Sequence, residues 1–326
     1  MKTIRIVTRT SELAMWQARF IEQALNRLNP DIKIELIGIK TQGDKILDVS
    51  LSKVGGKGLF VKELEDQLLN HSADLAVHSL KDVPYQLPSG LVLAAFGERE
   101  DPRDALISPN YTSLAMLPKG ATVGTSSLRR QAQLLKIRPD LRCDMLRGNV
   151  PTRIQKCVEG QYEAIILAAA GVKRLGLADH IREYLDINTF LPAVGQGVLG
   201  IECHEKNQAL IRLLGPLNHL KTYITSLAER SMNETLEGGC QVPIAGYAWL
   251  EPVSAEAPAL ALQLYLKGRV LTPDGKTCLE SQGEISVNLN NIHPEDIIQL
   301  GKKIAHELIQ QGADKIISAC YSQVKS

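Results

Sequence analysis

The sequence predicts an α/β protein built on parallel sheets with crossover helices, followed by a small α+β domain. Three observations carry this. Short β-branched runs alternate with helical patterns over the first 220 residues, as parallel strands joined by helices require. Two turn-rich stretches, 98–104 and 191–197, interrupt the alternation as crossings between domains. After about Lys221 the pattern changes to strands joined by turns, with a helix on either side.

Ile4–Thr8 reads as a strand. Ser11 then caps a helix carrying Leu13, Trp16, Phe20, Ala24 and Leu28 at three- or four-residue spacing. A strand at 33–40, a helix at about 59–69 and strands at 75–77 and 91–96 follow. Beyond the first crossing come a strand near Val123, a helix at about 128–137 and a strand at 141–145. A helix starting at Pro151 and a buried strand at 165–169 then lead to the second crossing and a strand over 198–203. The last part shows a helix ending near Leu236 and strands at 242–250, 261–271 and 277–287. The last two strands are joined by Pro273-Asp274-Gly275. A final helix from Pro294 places Ile297, Leu300, Ile304 and Leu308 on one face.

The composition narrows the function classes. The chain has 326 residues, and its 37 Lys plus Arg against 36 Asp plus Glu give a net charge of +1, so any anion site has to be local. With only 14 aromatic residues, a nucleic-acid surface is not expected. No apolar run approaches the ~20 residues of a membrane span, and no signal-peptide core follows Lys2, so no membrane partner and a cytoplasmic location are expected. The six cysteines are scattered without zinc-ligand spacing and read as free thiols; no metal is expected.

Four segments carry candidate chemistry. In Thr125-Ser126-Ser127-Leu128-Arg129-Arg130 a strand gives way to a helix, and two arginines in a first turn oppose the helix dipole. An anion bound there explains them better than a solvated basic turn. In His78-Ser79-Leu80-Lys81-Asp82-Val83-Pro84 an adjacent cation and carboxylate follow a strand end, where open α/β sheets place ligands. Such a pair suits anion binding and proton handling; the bland alternative is a solvated pair before a proline. The basic, glycine-rich 53–58 is a flap or a surface turn, and Asp44 stands where a phosphate-binding loop needs lysine. Arg9 with Ser11, and Arg147 with Arg153, flank two further strand-to-helix turns and suit bidentate oxyanion binding. Cys240, after two glycines, is the thiol with the least crowded surroundings of the six.

Taken together, TRTSELAMWQ (8–17), KVGGKGLFVKELE (53–65), HSLKDVP (78–84), VGTSSLRRQAQL (123–134) and LRGNVPTR (146–153) resemble the porphobilinogen deaminases. AIILAAAGVKRL (164–175), LPAVGQGVLGIE (191–202) and LEGGCQVPI (236–244) continue the likeness in the family's order. The last 75 or so residues match loosely, and Thr235 stands where relatives often carry a basic residue.

The resemblance implies two lobes like those of type II periplasmic binding proteins, residues 1–97 with 198–217 and residues 98–197. It implies a third domain over 218–326. The implied reaction joins four porphobilinogen molecules head to tail with loss of ammonia, and hydrolysis frees linear hydroxymethylbilane. The implied cofactor is dipyrromethane, bound covalently to Cys240, its carboxylates held by Lys81, Ser127, Arg129 and Arg130. Arg9, Ser11, Arg147, Arg153 and Arg174 would hold substrate, and Asp82 would assist loss of ammonia. Lys53, Lys57 and Phe60 would lie on a loop over the cleft. A monomer is expected. The rival is a non-catalytic solute-binding protein for a polycarboxylate, which has no use for Cys240 beside Asp82.

Overall fold

The structure is a computed structural model that describes residues 3–45, 58–239, 241–254 and 260–325. Two five-stranded sheets and one three-stranded sheet organise it. The first lobe contains β1 (Thr3–Arg9), α1 (Glu12–Leu28), β2 (Lys33–Ile39), a single turn α2 (Gln42–Lys45) and α3 (Lys62–Leu69), followed by β3 (Leu75–Ser79) and β4 (Leu91–Phe96). The second contains β5 (Asp104–Ile107), β6 (Thr122–Gly124), α4 (Leu128–Ile137), β7 (Arg142–Asp144) and α5 (Val150–Val158). It ends with β8 (Ala164–Ala168), α6 (Ala169–Arg174) and β9 (Ile181–Tyr184). The chain then returns to the first sheet as β10 (Leu199–His204) and continues through α7 (Gln208–Leu214).

Both lobes follow one plan. The first sheet runs β2-β1-β3-β10-β4 and the second β7-β6-β8-β5-β9. In each, three parallel strands are followed by one antiparallel strand and a fourth that pairs only with it. The antiparallel strand is the crossing strand in both cases: β10 comes back from the second lobe, and β5 arrives from the first. Parallel strands are covered on both faces. Ile4, Ile6, Val7 and Thr8 of β1 are therefore all buried, with Ile6 and Val7 belonging to separate clusters.

Strands β5 and β9 go beyond the sequence reading. Each has four residues, too few for an alternation to register, and β5 begins with a charged residue. The helix α1 also differs. Its buried face is Ala14, Gln17, Ala18, Ile21 and Leu25, one residue on from the predicted stripe, while Phe20 and Leu28 are exposed. The Leu13–Trp16–Phe20 ridge turns towards the second lobe instead: Leu13 lies against Gly171, Trp16 stacks on Phe20, and the Arg174 guanidinium lies 5.8 Å from the Trp16 ring centre.

The third domain packs α8 (Leu220–Thr235), α9 (Pro294–Gln310) and α10 (Ala313–Lys325) on one face of the antiparallel sheet β11 (Ile244–Pro252), β12 (Ala261–Leu271) and β13 (Cys278–Asn288). The single predicted final helix is two helices. Gly312 adopts φ 103° and ends α9, a left-handed stop that glycine permits without strain. No helix among the described residues is long and apolar enough to cross a membrane.

Candidate active-site cleft

The C-terminal ends of β1 and β3 open on a pocket lined by Arg9, Ser11, Gln17, Phe60, Ser79 and Asp82. The turn carrying Lys81 and Asp82 is a short 3₁₀ helix, Leu80–Asp82, closed by Val83 N–H donating to Leu80 O. It is tied to its surroundings at both ends. Leu80 N–H donates to Val198 O at 2.9 Å, and Gln17 Nε2 donates to Ser79 Oγ at 2.8 Å. His78, which taken alone is more often structural than catalytic, is buried behind this turn, with Nε2 2.9 Å from Glu202 Oε2.

Across the cleft, Ser127 caps α4 by accepting from Arg130 N–H. Arg129 and Arg130 are not free at that helix start, as the sequence suggested. Both are buried and grip Asp104, which is itself fully buried. Arg129 Nη1 donates to Asp104 Oδ2 and to Leu191 O, both at 2.7 Å. Arg130 donates from Nε to Asp104 Oδ1 and from Nη1 to Ile166 O, both at 2.9 Å. Burial pushes the Asp104 carboxyl up, but the two guanidiniums outweigh it and hold it down at about 2. Asp104 is the residue that sequence reasoning missed here. An acidic residue opening an apolar strand, Asp-Ala-Leu-Ile, was the signal available.

Asp104 does not neutralise its neighbours. Burial, and then the charge of Arg130, push the Lys81 amine down to about 8, and the Lys81 Nζ contact to Gln196 Oε1 is a long 3.4 Å. Three cations therefore share Asp104, with Asp82 the other carboxylate acting on Lys81 and Arg130. Arg153 and Arg147 add to the excess. Burial lowers both guanidiniums, Arg153 to about 10, with Arg130, Arg147 and Arg9 pressing on Arg153 and Asp82 relieving it. Lys81, Arg129, Arg130, Arg147, Arg153 and Arg9 thus act on one another across the two lobes, with Asp82 among them. A ligand with several carboxylates fits this donor set, because it would supply the negative charge that the protein leaves short.

Arg9 is engaged from its own lobe. Its guanidinium pairs with Asp44, and its carbon lies 4.3 Å from the centre of the Phe60 ring. Burial would raise the Asp44 carboxyl, yet Arg9 and the Thr41 donors hold it below its usual range. Asp44 is a second missed residue; the sequence offered only its conflict with a phosphate loop. Ser11 spends its hydroxyl as the N-cap of α1. Arg174 lies outside the cluster, donating to Gly197 O at 2.7 Å, with its guanidinium lowered to about 10 by burial.

Lys53, Lys57 and Cys240 lie outside the described residues. The residues leading to Cys240 are ordered by contacts that the sequence did not suggest. The Asn233 side chain occupies the space where a β-carbon on Gly238 would stand, and Tyr321 O–H donates to Glu237 O at 2.7 Å. The five described cysteines are poor nucleophiles. Burial raises every one of those thiols, Cys143, Cys157 and Cys203 to about 11.

The family described as "Porphobilinogen deaminase, dipyromethane cofactor binding domain" matches residues 4–212, and "Porphobilinogen deaminase, C-terminal domain" matches residues 223–310. Among solved structures, a periplasmic aliphatic sulphonate binding protein from Escherichia coli is 16% identical, over 73% of this chain and 71% of that one, with a TM-score of 0.39. An arginine-specific periplasmic binding protein from Salmonella typhimurium is 13% identical, over 67% and 92%, also with a TM-score of 0.39.

Proposed function

The chain belongs to the porphobilinogen deaminase family, and on that premise we propose that it joins four porphobilinogen molecules head to tail and releases linear hydroxymethylbilane. It is a transferase of tetrapyrrole biosynthesis, and its cofactor is dipyrromethane. When bound, that group supplies a tethered pyrrole whose free α-carbon accepts the next unit. We assign its attachment to Cys240, in line with the raised thiols of the other five cysteines.

The observation that carries the reading is a carboxylate, Asp82, that lines the cleft and acts on Lys81 of its own lobe and on Arg130 and Arg153 of the other. A site that only bound a polycarboxylate would be weakened by Asp82. A site that also breaks a C–N bond needs it. As ammonia leaves porphobilinogen, the pyrrole and its methylene carbon become cationic, and Asp82 faces that charge. The methylene carbon then bonds to the acceptor α-carbon, and the proton displaced there leaves through a basic group. Lys81, Ser127, Arg129 and Arg130 hold the cofactor carboxylates; Arg9, Ser11, Arg147, Arg153 and Arg174 hold those of the incoming unit and the growing chain. Phe60, which covers the Arg9 guanidinium, shields the substrate side, and one chain is the working unit.

Intact-mass measurement tests this directly. The purified protein carries a two-pyrrole adduct, Cys240→Ser lacks both adduct and activity, and changing any other cysteine leaves the adduct in place. A full adduct on Cys240→Ser would sink the assignment.

A further inference from the structure

Helix α8 of the third domain reaches the turn that carries Asp82. Arg230 Nη1 donates to Val83 O at 3.2 Å, and Arg230 Nη2 donates to Pro84 O at 2.7 Å and Tyr85 O at 3.0 Å. Three successive carbonyls just downstream of Asp82 are thus held by one guanidinium from another domain. This segment belongs to no strand or helix, and Pro84 has no N–H, so its carbonyls depend on donors from outside the turn. A planar fork of five N–H groups can meet three acceptors at once; an ammonium on a flexible stem cannot fix them in one arrangement.

The adjacent residue makes α8 a fixed reference. Glu229 is fully buried and accepts from Gly195 N–H at 2.7 Å, in the second crossing, and from Ala248 N–H at 2.8 Å, in β11. It also pairs with Arg99 of the first crossing. Consecutive residues of one helix therefore hold both crossings and the Asp82 turn. The same helix ends at Thr235, five residues before Cys240.

We propose that Arg230 is the positioning residue of the Asp82 turn, fixing the catalytic carboxylate relative to the domain that carries Cys240. This rests on the role given to Asp82 above. Arg230 touches no reacting atom and acts through the backbone of residues 83–85.

The test is a double-mutant cycle on purified holoenzymes, with adduct mass and thermal melting checked for each variant. In Arg230→Met, kcat falls about 10–100-fold, the cost of a misplaced catalytic group, while KM stays close to the parent value. Arg230→Lys lies between the two. In the Asp82→Asn background the same Arg230→Met change costs less than about twofold, because a residue acting through Asp82 has nothing left to position. An equal fold-loss in both backgrounds, an unchanged kcat, or a loss confined to KM would overturn the proposal. If Arg230→Met does not fold, the cycle runs with Arg230→Lys under the same criteria. Failure of the underlying reading shows separately, as wild-type protein that makes no tetrapyrrole or Asp82→Asn protein that turns over normally.

Discussion

The two lobes share one strand plan and divide the chemistry between them. Among the described residues, the first-lobe charges that line the site come in pairs of opposite sign: Arg9 with Asp44, and Lys81 beside Asp82. The second offers four arginines, of which Arg129 and Arg130 are anchored on a buried carboxylate and Arg147 and Arg153 press on each other. The topology is blind to this difference. On the proposed function, the chemistry lies in the loops after the strands, and the lobe that carries Asp82 differs from the lobe that carries most of the binding charge.

The largest expected effect breaks the first lobe's side of that division. Asp82→Asn keeps shape and some hydrogen bonding but loses the charge, so turnover falls by ~10²–10⁴-fold while the fold survives. Asp82→Glu, displaced by one methylene, retains measurable activity. With porphobilinogen added, intact masses of either holoenzyme show a ladder of slowly advancing pyrrole units. Wild-type turnover by Asp82→Asn would leave this carboxylate as no more than a partner of Lys81.

The second lobe should respond differently. Arg129→Leu or Arg130→Leu removes a proposed cofactor contact and also breaks a buried pair, a change that typically costs about 3–5 kcal/mol. Both variants therefore melt lower and carry little adduct. Arg147→Leu leaves Asp104 paired, so it assembles cofactor and fails at later additions. Equal adduct fractions in all three variants would remove the distinction between cofactor and substrate arginines. Acid offers an independent check. Because the folded Asp104 carboxyl is depressed, its contribution is present above its ordinary value of 3.8 and is lost as pH falls to about 2. In Asp104→Asn that part of the acid transition is missing.

Much of this division was legible in the sequence because it is local. Ser127 caps the helix that its own segment opens, and Lys81 and Asp82 follow a strand that its own residues predict. What escaped is paired over distance. Asp104 reads as the end of a turn-rich crossing until Arg129, 25 residues on, is seen beside it. Arg230 is an unremarked arginine on a helix whose partners lie 145 to 147 residues earlier. The face of α1 was misread for a related reason: periodicity shows that a helix has an apolar side, and Leu13 and Trp16 turned out to meet the neighbouring lobe.

A moderate effect lies at the junction of the lobes. The Lys81 amine titrates at about 8, so apo-protein loses this cation as pH rises through that value. Cofactor assembly slows over the same range, and Lys81→Arg, which stays charged, moves the fall to higher pH. The stability sign is opposite. Between about 8 and the ordinary lysine value of 10.5 the folded chain holds fewer protons than the unfolded one, so this group's penalty on folding fades with rising pH. Assembly that is flat across pH 7–9 would count against Lys81 as a cofactor contact.

The smallest effect concerns Arg9, the first-lobe arginine proposed to hold substrate. Arg9 is held by Asp44 and covered by Phe60, so a substrate carboxylate has to share it with, or take it from, a carboxylate already in place. Asp44→Asn keeps the side-chain shape and lets go of the charge. Asparagine can still accept from Thr41, and what is lost is the difference between charged and neutral hydrogen bonds, about 1 kcal/mol. Melting should therefore barely move. The negative charge that Asp44 places beside a polyanion's path disappears at the same time, so KM for porphobilinogen falls by about 2–5-fold, the same energy scale read as an affinity. Adduct content stays at the parent level, since none of the proposed cofactor contacts is touched. Added salt is the control: by screening the Asp44 charge it narrows the gap between parent and variant. A raised KM instead would mean that Asp44 orients Arg9 for the substrate, and the first lobe's pair would then be a prepared site, as Asp104 makes of Arg129 and Arg130 in the second.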